Sequence, residues 1–185
     1  MALNATIFKA GLQIADIDRG YYQDHALTIA RHPSETDERM MVRVLAFALH
    51  AHDALIFGKG LSSDDEADLW QKDLTGAIEI WIDVGQPDEK RLRKACGRAR
   101  QVFVYNYGGH GAGNWWDQVS GKLERTRNLT VMRLAPAASQ ALAMLARRNM
   151  QLHCTVQEGQ VWLADENHSV QVGLATLKNP PAALR

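Results

Sequence analysis

The sequence predicts a mixed α/β protein, with a central sheet flanked by helices and extra antiparallel strands at both ends of the chain. Three observations lead there. Apolar residues alternate at Ala10, Leu12 and Ile14, and again at Ile78, Ile80, Ile82 and Val84, which is the period of a strand. Helical spacing separates such runs in the middle of the chain, with Met40, Val44, Phe47 and Ala51 on one face and Leu92, Ala95, Cys96 and Ala99 on another. The last stretch carries three short strand-like runs and no helical period. With 185 residues, 46% hydrophobic and 23% charged, the chain can build a real core, and disordered or fibrous classes are excluded. No repeat or low-complexity linker interrupts it, so residues 1–185 are expected to form one domain.

The elements follow in order. The first thirty residues read as a hairpin whose turn chemistry is Asp16, Ile17, Asp18, Arg19 and Gly20. Pro33 ends the second strand, and Ser34 is the expected N-cap of a mostly buried helix with Glu35, Asp37 and Glu38 in its first turn. Arg39, Arg43 and His50 fall on that helix's other side. Short strands are expected over 54–60 and 68–72, with a turn at 73–76 leading into the clearest strand, 78–84. Pro87 suits the first turn of the next helix, on which Lys90, Lys94 and Arg98 recur at helical spacing. A strand over 101–107 then runs parallel to 78–84, because two strands joined through a helix cross over right-handed. A glycine-rich connection over 108–113 leads to a short helix around Trp115 and Trp116. A strand at 129–134 and a helix from Pro136 to about Arg148 come next, followed by strands at 151–157, 161–164 and 170–177.

Total charge is balanced, with 21 basic and 21 acidic residues, but its distribution is uneven. Residues 87–100 hold six basic side chains against two acidic ones, whereas 64–68 hold Asp64, Asp65, Glu66 and Asp68 with no base. Such clusters can place a metal beside a polyanion, or they can be solvated faces that cancel one another. Cys96 and Cys154 make neither a metal spacing nor a disulfide framework, and both fall on buried stripes. No apolar run approaches the ~20 residues of a membrane helix, and the N-terminus lacks a signal-peptide pattern. A soluble, cytoplasmic monomer with reduced thiols is the expectation.

One acidic pair stands out. Asp68 begins one strand and Asp83 ends the next, so about a turn at 73–76 the two lie side by side. Adjacent strands are roughly 4.8 Å apart, close enough for two carboxylates to share Mg²⁺ or Mn²⁺. An ion held there could polarise a phosphodiester and generate hydroxide. Glu79 shares the Asp83 face but lies about 13 Å back along an extended strand, and reads as structural.

The order helix, three strands carrying Asp68 and Asp83, basic helix, strand resembles the αβββαβ core of the restriction-endonuclease-like PD-(D/E)XK nucleases. The segments 30–41, 60–70 and 81–96, including Ala67-Asp68, Ile82-Asp83-Val84-Gly85-Gln86-Pro87 and Lys90-Arg91-Leu92-Arg93-Lys94, resemble the bacterial YaeQ family from end to end. Trp115-Trp116 and Val161-Trp162-Leu163 belong to the same likeness. That family is similar in fold to the PD-(D/E)XK nucleases. The resemblance implies Asp68 and Asp83 as metal acids, with Gln86 beside the place of a motif lysine. That lysine stabilises charge on the attacked phosphate, and here Gly85 stands in its position. Glutamine donates a hydrogen bond without charge, so Lys90 or Lys94 would supply it from the next helix. Arg98 would join both lysines in holding the phosphate backbone, and Glu35 or Glu38 would add an outer carboxylate.

Other motifs carry less. The 108–113 glycines lack both phosphate-loop spacings, and His110 has no acid or cysteine beside it. Of Trp115 and Trp116 one is expected in the core and the other partly exposed, where it could stack a base. No serine-hydrolase elbow or zincin motif is present. Two functions follow: a Mg²⁺- or Mn²⁺-dependent nuclease or phosphodiesterase, or a non-catalytic module on the same fold that binds nucleic acid or a protein partner.

Overall fold

The computed structural model describes residues 4–59 and 64–181. The chain builds two mixed sheets and four α-helices among these residues. They group into two compact units, the first holding residues 4–51, 59 and 137–173 and the second 52–58, 64–136 and 174–181. None of the described helices is long and apolar enough to cross a membrane.

The first unit begins with the expected hairpin. β1 (Thr6–Asp16) and β2 (Tyr21–Arg31) pair antiparallel over their full length, and Gly20 takes φ 65° in the turn, a conformation glycine adopts without cost. The helix α1 (Asp37–Leu49) starts later than the sequence suggests. Its N-cap is Thr36, whose hydroxyl accepts from the Arg39 N–H, while the Ser34 hydroxyl pairs with His32 Nδ1 at 2.6 Å. Residues Met40 to Ala48 are buried without exception, Arg43 included. Arg43 is not on a solvated face, because its Nε and Nη2 each donate to the buried Glu35 carboxylate at 2.7 Å. Arg39 adds a third contact to Glu35 at 3.0 Å. α4 (Pro136–Ala143) ends before Arg148, and its Ser139 hydroxyl donates to Glu38.

Strands β8 (Asn149–Gln157), β9 (Gln160–Ala164) and β10 (Ser169–Val172) do not extend the central sheet. They join the hairpin in a sheet of their own, in the order β10-β9-β8-β1-β2, with β8 parallel to β1. One face of it is apolar, through Leu12, Ile14, Leu152, Cys154 and Leu163, and the other carries Gln13, Asp24, Gln151 and His153 to solvent.

The second unit holds β3 (Leu55–Phe57), β4 (Leu69–Lys72), β5 (Ile78–Val84), β6 (Ala99–Asn106), β7 (Leu129–Leu134) and β11 (Leu174–Lys178), in the order β11-β7-β6-β5-β4-β3. The expected strand at 170–177 is therefore two strands, divided at Gly173, and each half pairs in a different sheet. β5, β6 and β7 are parallel, as the crossover argument requires. α2 (Glu89–Arg98) is capped by Asp88, whose carboxylate accepts the Arg91 N–H at 2.7 Å, so Pro87 stands before the cap rather than inside the first turn. The glycines at 109–113 open α3 (Gly109–Val119), which passes into a 3-10 turn at Ser120–Leu123. Leu92, Ala95, Trp115, Val119 and Leu123 pack with Trp81, Val102, Val104, Leu129 and Val131 as one apolar cluster.

Trp81 is wholly buried in that cluster, and Ile82 on the opposite face is equally covered. A strand sealed on both faces is the usual condition of a parallel sheet, and alternation alone does not reveal it.

Candidate functional site

The β4–β5 hairpin sets the geometry of the acidic pair. At its turn the Asp73 carboxylate accepts from the N–H groups of Thr75 and Ala77 at 2.8 and 3.0 Å and from the Thr75 hydroxyl. A bulge at Gln71–Lys72 then sets Trp70 opposite Trp81 and Leu69 opposite Ile82. Counting on by one residue puts Asp68 opposite Asp83, on the face where the Trp70 and Trp81 rings meet edge to face at 5.8 Å. The two acids also lock each other's strand: Asp68 Oδ2 accepts the Val84 N–H at 2.8 Å, and Asp83 Oδ1 accepts the Asp68 N–H at 3.3 Å.

Gly58, just after β3, permits this close fit. A Cβ there would sit 2.0 Å from the Ala67 carbonyl oxygen, and the Gly58 N–H donates to the Asp68 carbonyl at 2.8 Å. Only a residue without a side chain can approach the start of β4 so closely.

Asp83 is 1% exposed, and its charge is met by Arg91. Arg91 Nε donates to Oδ2 at 2.8 Å and Nη2 to Oδ1 at 2.9 Å, a two-point clamp. Nη2 also donates to the Glu66 carbonyl at 2.7 Å. Burial pushes the Asp83 carboxyl above the usual range; Arg91 draws it back, and the neighbouring Asp68 charge raises it further. The clamp in turn raises the Arg91 guanidinium above its ordinary value. Trp81 Nε1 is buried without a hydrogen bond of normal geometry, although it lies near enough to Asp83 to favour the carboxylate.

The basic stripe of α2 is largely committed. Lys94 is paired with the Asp65 carboxylate, which that contact holds below the usual range. Arg98 Nη1 donates to the Asp65 carbonyl at 2.8 Å, and its guanidinium lies 5.3 Å from the Trp81 ring centre. The acidic segment 64–68 thus lies along Arg91, Lys94 and Arg98. Lys90 is exposed on the outer face. Gln86, also exposed, donates its side-chain amide to the Tyr107 carbonyl. Glu79 pairs loosely with Arg100 at 3.4 Å, and Glu35 and Glu38 are engaged inside the first unit. Positions 60–63, part of the family-like segment ahead of Asp68, lie outside the described residues.

Gly85, where the motif lysine is expected, has φ 95°, a backbone conformation that strains any residue with a side chain. Asn106, missed in the sequence, is fully buried beside it: Nδ2 donates to the Gly85 carbonyl at 3.3 Å, and Oδ1 accepts from Arg133 Nε at 3.3 Å. Trp115 is core, donating Nε1 to the Pro87 carbonyl at 2.7 Å, and Trp116 is partly exposed, as expected. His110 is exposed on the first turn of α3.

As a set of ligands for a divalent ion, the described residues fall short of a cage. They contain no cluster of three or more His, Cys, Asp or Glu side chains, and both oxygens of Asp83 are already bonded to Arg91.

The fold and this site define an α/β protein with two mixed sheets and an acid pair across a hairpin. The sequence model of the family described as YaeQ protein matches residues 1–174, and the chain belongs to that family. It is 41% identical over 180 residues to a protein of Escherichia coli (strain K12) described as "Uncharacterized protein YaeQ", covering 97% of this chain and 99% of that one. The Salmonella typhi protein of the same description is 42% identical over the same length. Among solved structures, the YaeQ protein from Xanthomonas axonopodis pv. citri superposes with a TM-score of 0.92 at 50% identity, covering 95% of this chain and 99% of that chain. The YaeQ protein from Pseudomonas syringae gives 0.90 at 35% identity, covering 95% and 97%.

Proposed function

We propose that this protein is a non-catalytic nucleic-acid-binding module built on a nuclease-like core. The order α1-β3-β4-β5-α2-β6, with acids at the facing ends of β4 and β5, supports the likeness to PD-(D/E)XK nucleases. The observation that carries the non-catalytic reading is at the lysine position. Gly85 there has φ 95°, and the next side chain, Gln86, spends its amide on the Tyr107 carbonyl. Neither Gly85 nor Gln86 brings a positive charge to stabilise an attacked phosphate.

The binding surface is the outer side of α2 and the 3-10 turn beside it. Lys90 and Arg93 are exposed there, and Arg93 Nη2 reaches the Lys122 carbonyl at 3.3 Å. Lys122, Arg125 and Arg127 continue the cationic surface; of its acids, Glu89 pairs with Arg93 at 2.7 Å and with Lys122 at 3.3 Å, and Glu124 is exposed. A hollow lined by Trp116, Ser120, Gly121, Glu124, Leu177 and Lys178 adjoins it, offering a partly exposed ring on which a base can stack.

A second reading is a Mg²⁺- or Mn²⁺-dependent phosphodiesterase using Asp68 and Asp83, with Gln86, Lys90, Lys94 and Arg98 around the phosphate. The specific observation in its favour is that the two acids share one face on adjacent strands. A labelled single-stranded oligonucleotide separates the readings. The binding module holds it in chelator and leaves it intact with Mg²⁺ or Mn²⁺. Metal-dependent cleavage by the wild type that disappears in Asp83→Asn would establish the second reading.

A further inference from the structure

We propose that the Arg91 guanidinium is the resident cation of the Asp68–Asp83 pair, standing where the nuclease-like fold leads one to expect a divalent ion. Two carboxylates on one face of adjacent strands, one of them 1% exposed, need a counter-charge inside the protein. Arg91 meets that need more completely than a surface ion pair does. It covers both oxygens of Asp83 in a fork at 2.8 and 2.9 Å, and it spends a further donor on the Glu66 carbonyl at 2.7 Å. The fork matches a planar carboxylate in a way a lysine ammonium cannot.

The surrounding structure positions Arg91 for this. Asp88 caps α2 through the Arg91 backbone N–H at 2.7 Å, which fixes the residue in the first turn of the helix. Its guanidinium lies 5.7 Å from the Trp81 ring centre, on the sheet-facing side of α2. The backbone is served as well: Asp68 takes the Val84 N–H and Asp83 takes the Asp68 N–H, so the acids join two strands, a helix and the Glu66 segment in one node. A divalent ion entering the pair would have to displace the guanidinium from both Asp83 oxygens, taking from a half-buried cation its two-point carboxylate clamp. The exclusion of metal thus rests on Arg91, since two carboxylates and waters alone can hold a divalent ion. It does not depend on whether the protein binds nucleic acid.

Calorimetric titration of Mn²⁺ into the full chain tests this, with folding of each variant checked by circular dichroism. Wild type is expected to show no saturable binding at millimolar Mn²⁺. Arg91→Gln is expected to gain one site, which is lost again in the double variant Arg91→Gln/Asp83→Asn. Arg91→Lys keeps a charge that cannot fork across both oxygens, and should bind Mn²⁺ measurably but roughly tenfold more weakly than Arg91→Gln. It also serves as the test if the glutamine variant does not fold. Saturable binding to the wild type that vanishes in Asp83→Asn would overturn the proposal. So would Arg91 variants that fold and bind no Mn²⁺.

Discussion

Asp83 shows how one side chain can hold a region together. Removing its carboxylate would take the two-point clamp from the Arg91 guanidinium, which is 19% exposed and also donates to the Glu66 carbonyl. Asp83→Ala is expected to lower stability by about 3 kcal/mol, seen as a reduced denaturant midpoint with unchanged slope. His50 provides a second residue-scale expectation. Burial, reinforced by the Arg19 charge, lowers its pKa to about 4, so the folded state keeps it neutral. Below pH 6.5 the unfolded chain takes up a proton that the folded chain refuses, so stability falls as pH drops toward about 4. The loss amounts to at most about 3 kcal/mol. Thermal melts of wild type and His50→Gln between those pH values should converge as pH falls; parallel curves would contradict the assignment. The acids and their adjacency were legible because Asp68 and Asp83 flank a turn in sequence. Arg91 was not, since its role comes from the three-dimensional meeting of α2 with the end of β5.

At the scale of elements, the approach of β3 to the start of β4 depends on Gly58. A methyl group there meets the Ala67 carbonyl oxygen at 2.0 Å, so the backbone bearing Asp68 must shift. Gly58→Ala is expected to cost about 2 kcal/mol and to loosen the β3–β4 pairing, which faster exchange of the backbone amide at position 58 would report. Strand and helix identities followed from periodicity in most of the chain. The N-cap of α1 did not, because Ser34 and Thr36 are both good caps by chemistry, and the choice went to Thr36 once His32 engaged the Ser34 hydroxyl. Residues 170–177 read as one strand because nothing local marks Gly173 as the point where the chain passes from one sheet to the other. The glycines at 109–113 read as a loop for a similar reason. Their helix is sustained by the packing of Trp115 and Val119, against the intrinsic preference of glycine.

For the whole molecule, balanced total charge hides a division of labour. One row of α2 cations, Arg91, Lys94 and Arg98, is consumed by the acidic segment 64–68 and by Asp83. The outer row, Lys90 and Arg93, leads to Lys122, Arg125 and Arg127 beside Trp116. The sequence shows both charge clusters but not which row meets Asp83 and the 64–68 segment, because that depends on which side of α2 faces the sheet. The most direct measurement is fluorescence anisotropy of a labelled single-stranded oligonucleotide in chelator across a range of salt. The account predicts binding that needs no metal, weakens steeply as salt rises, and falls in a Lys122→Glu/Arg125→Glu variant while Lys94→Ala leaves it nearly unchanged. Failure of the wild type to bind at low salt, or binding that appears only with Mg²⁺ or Mn²⁺, would contradict it.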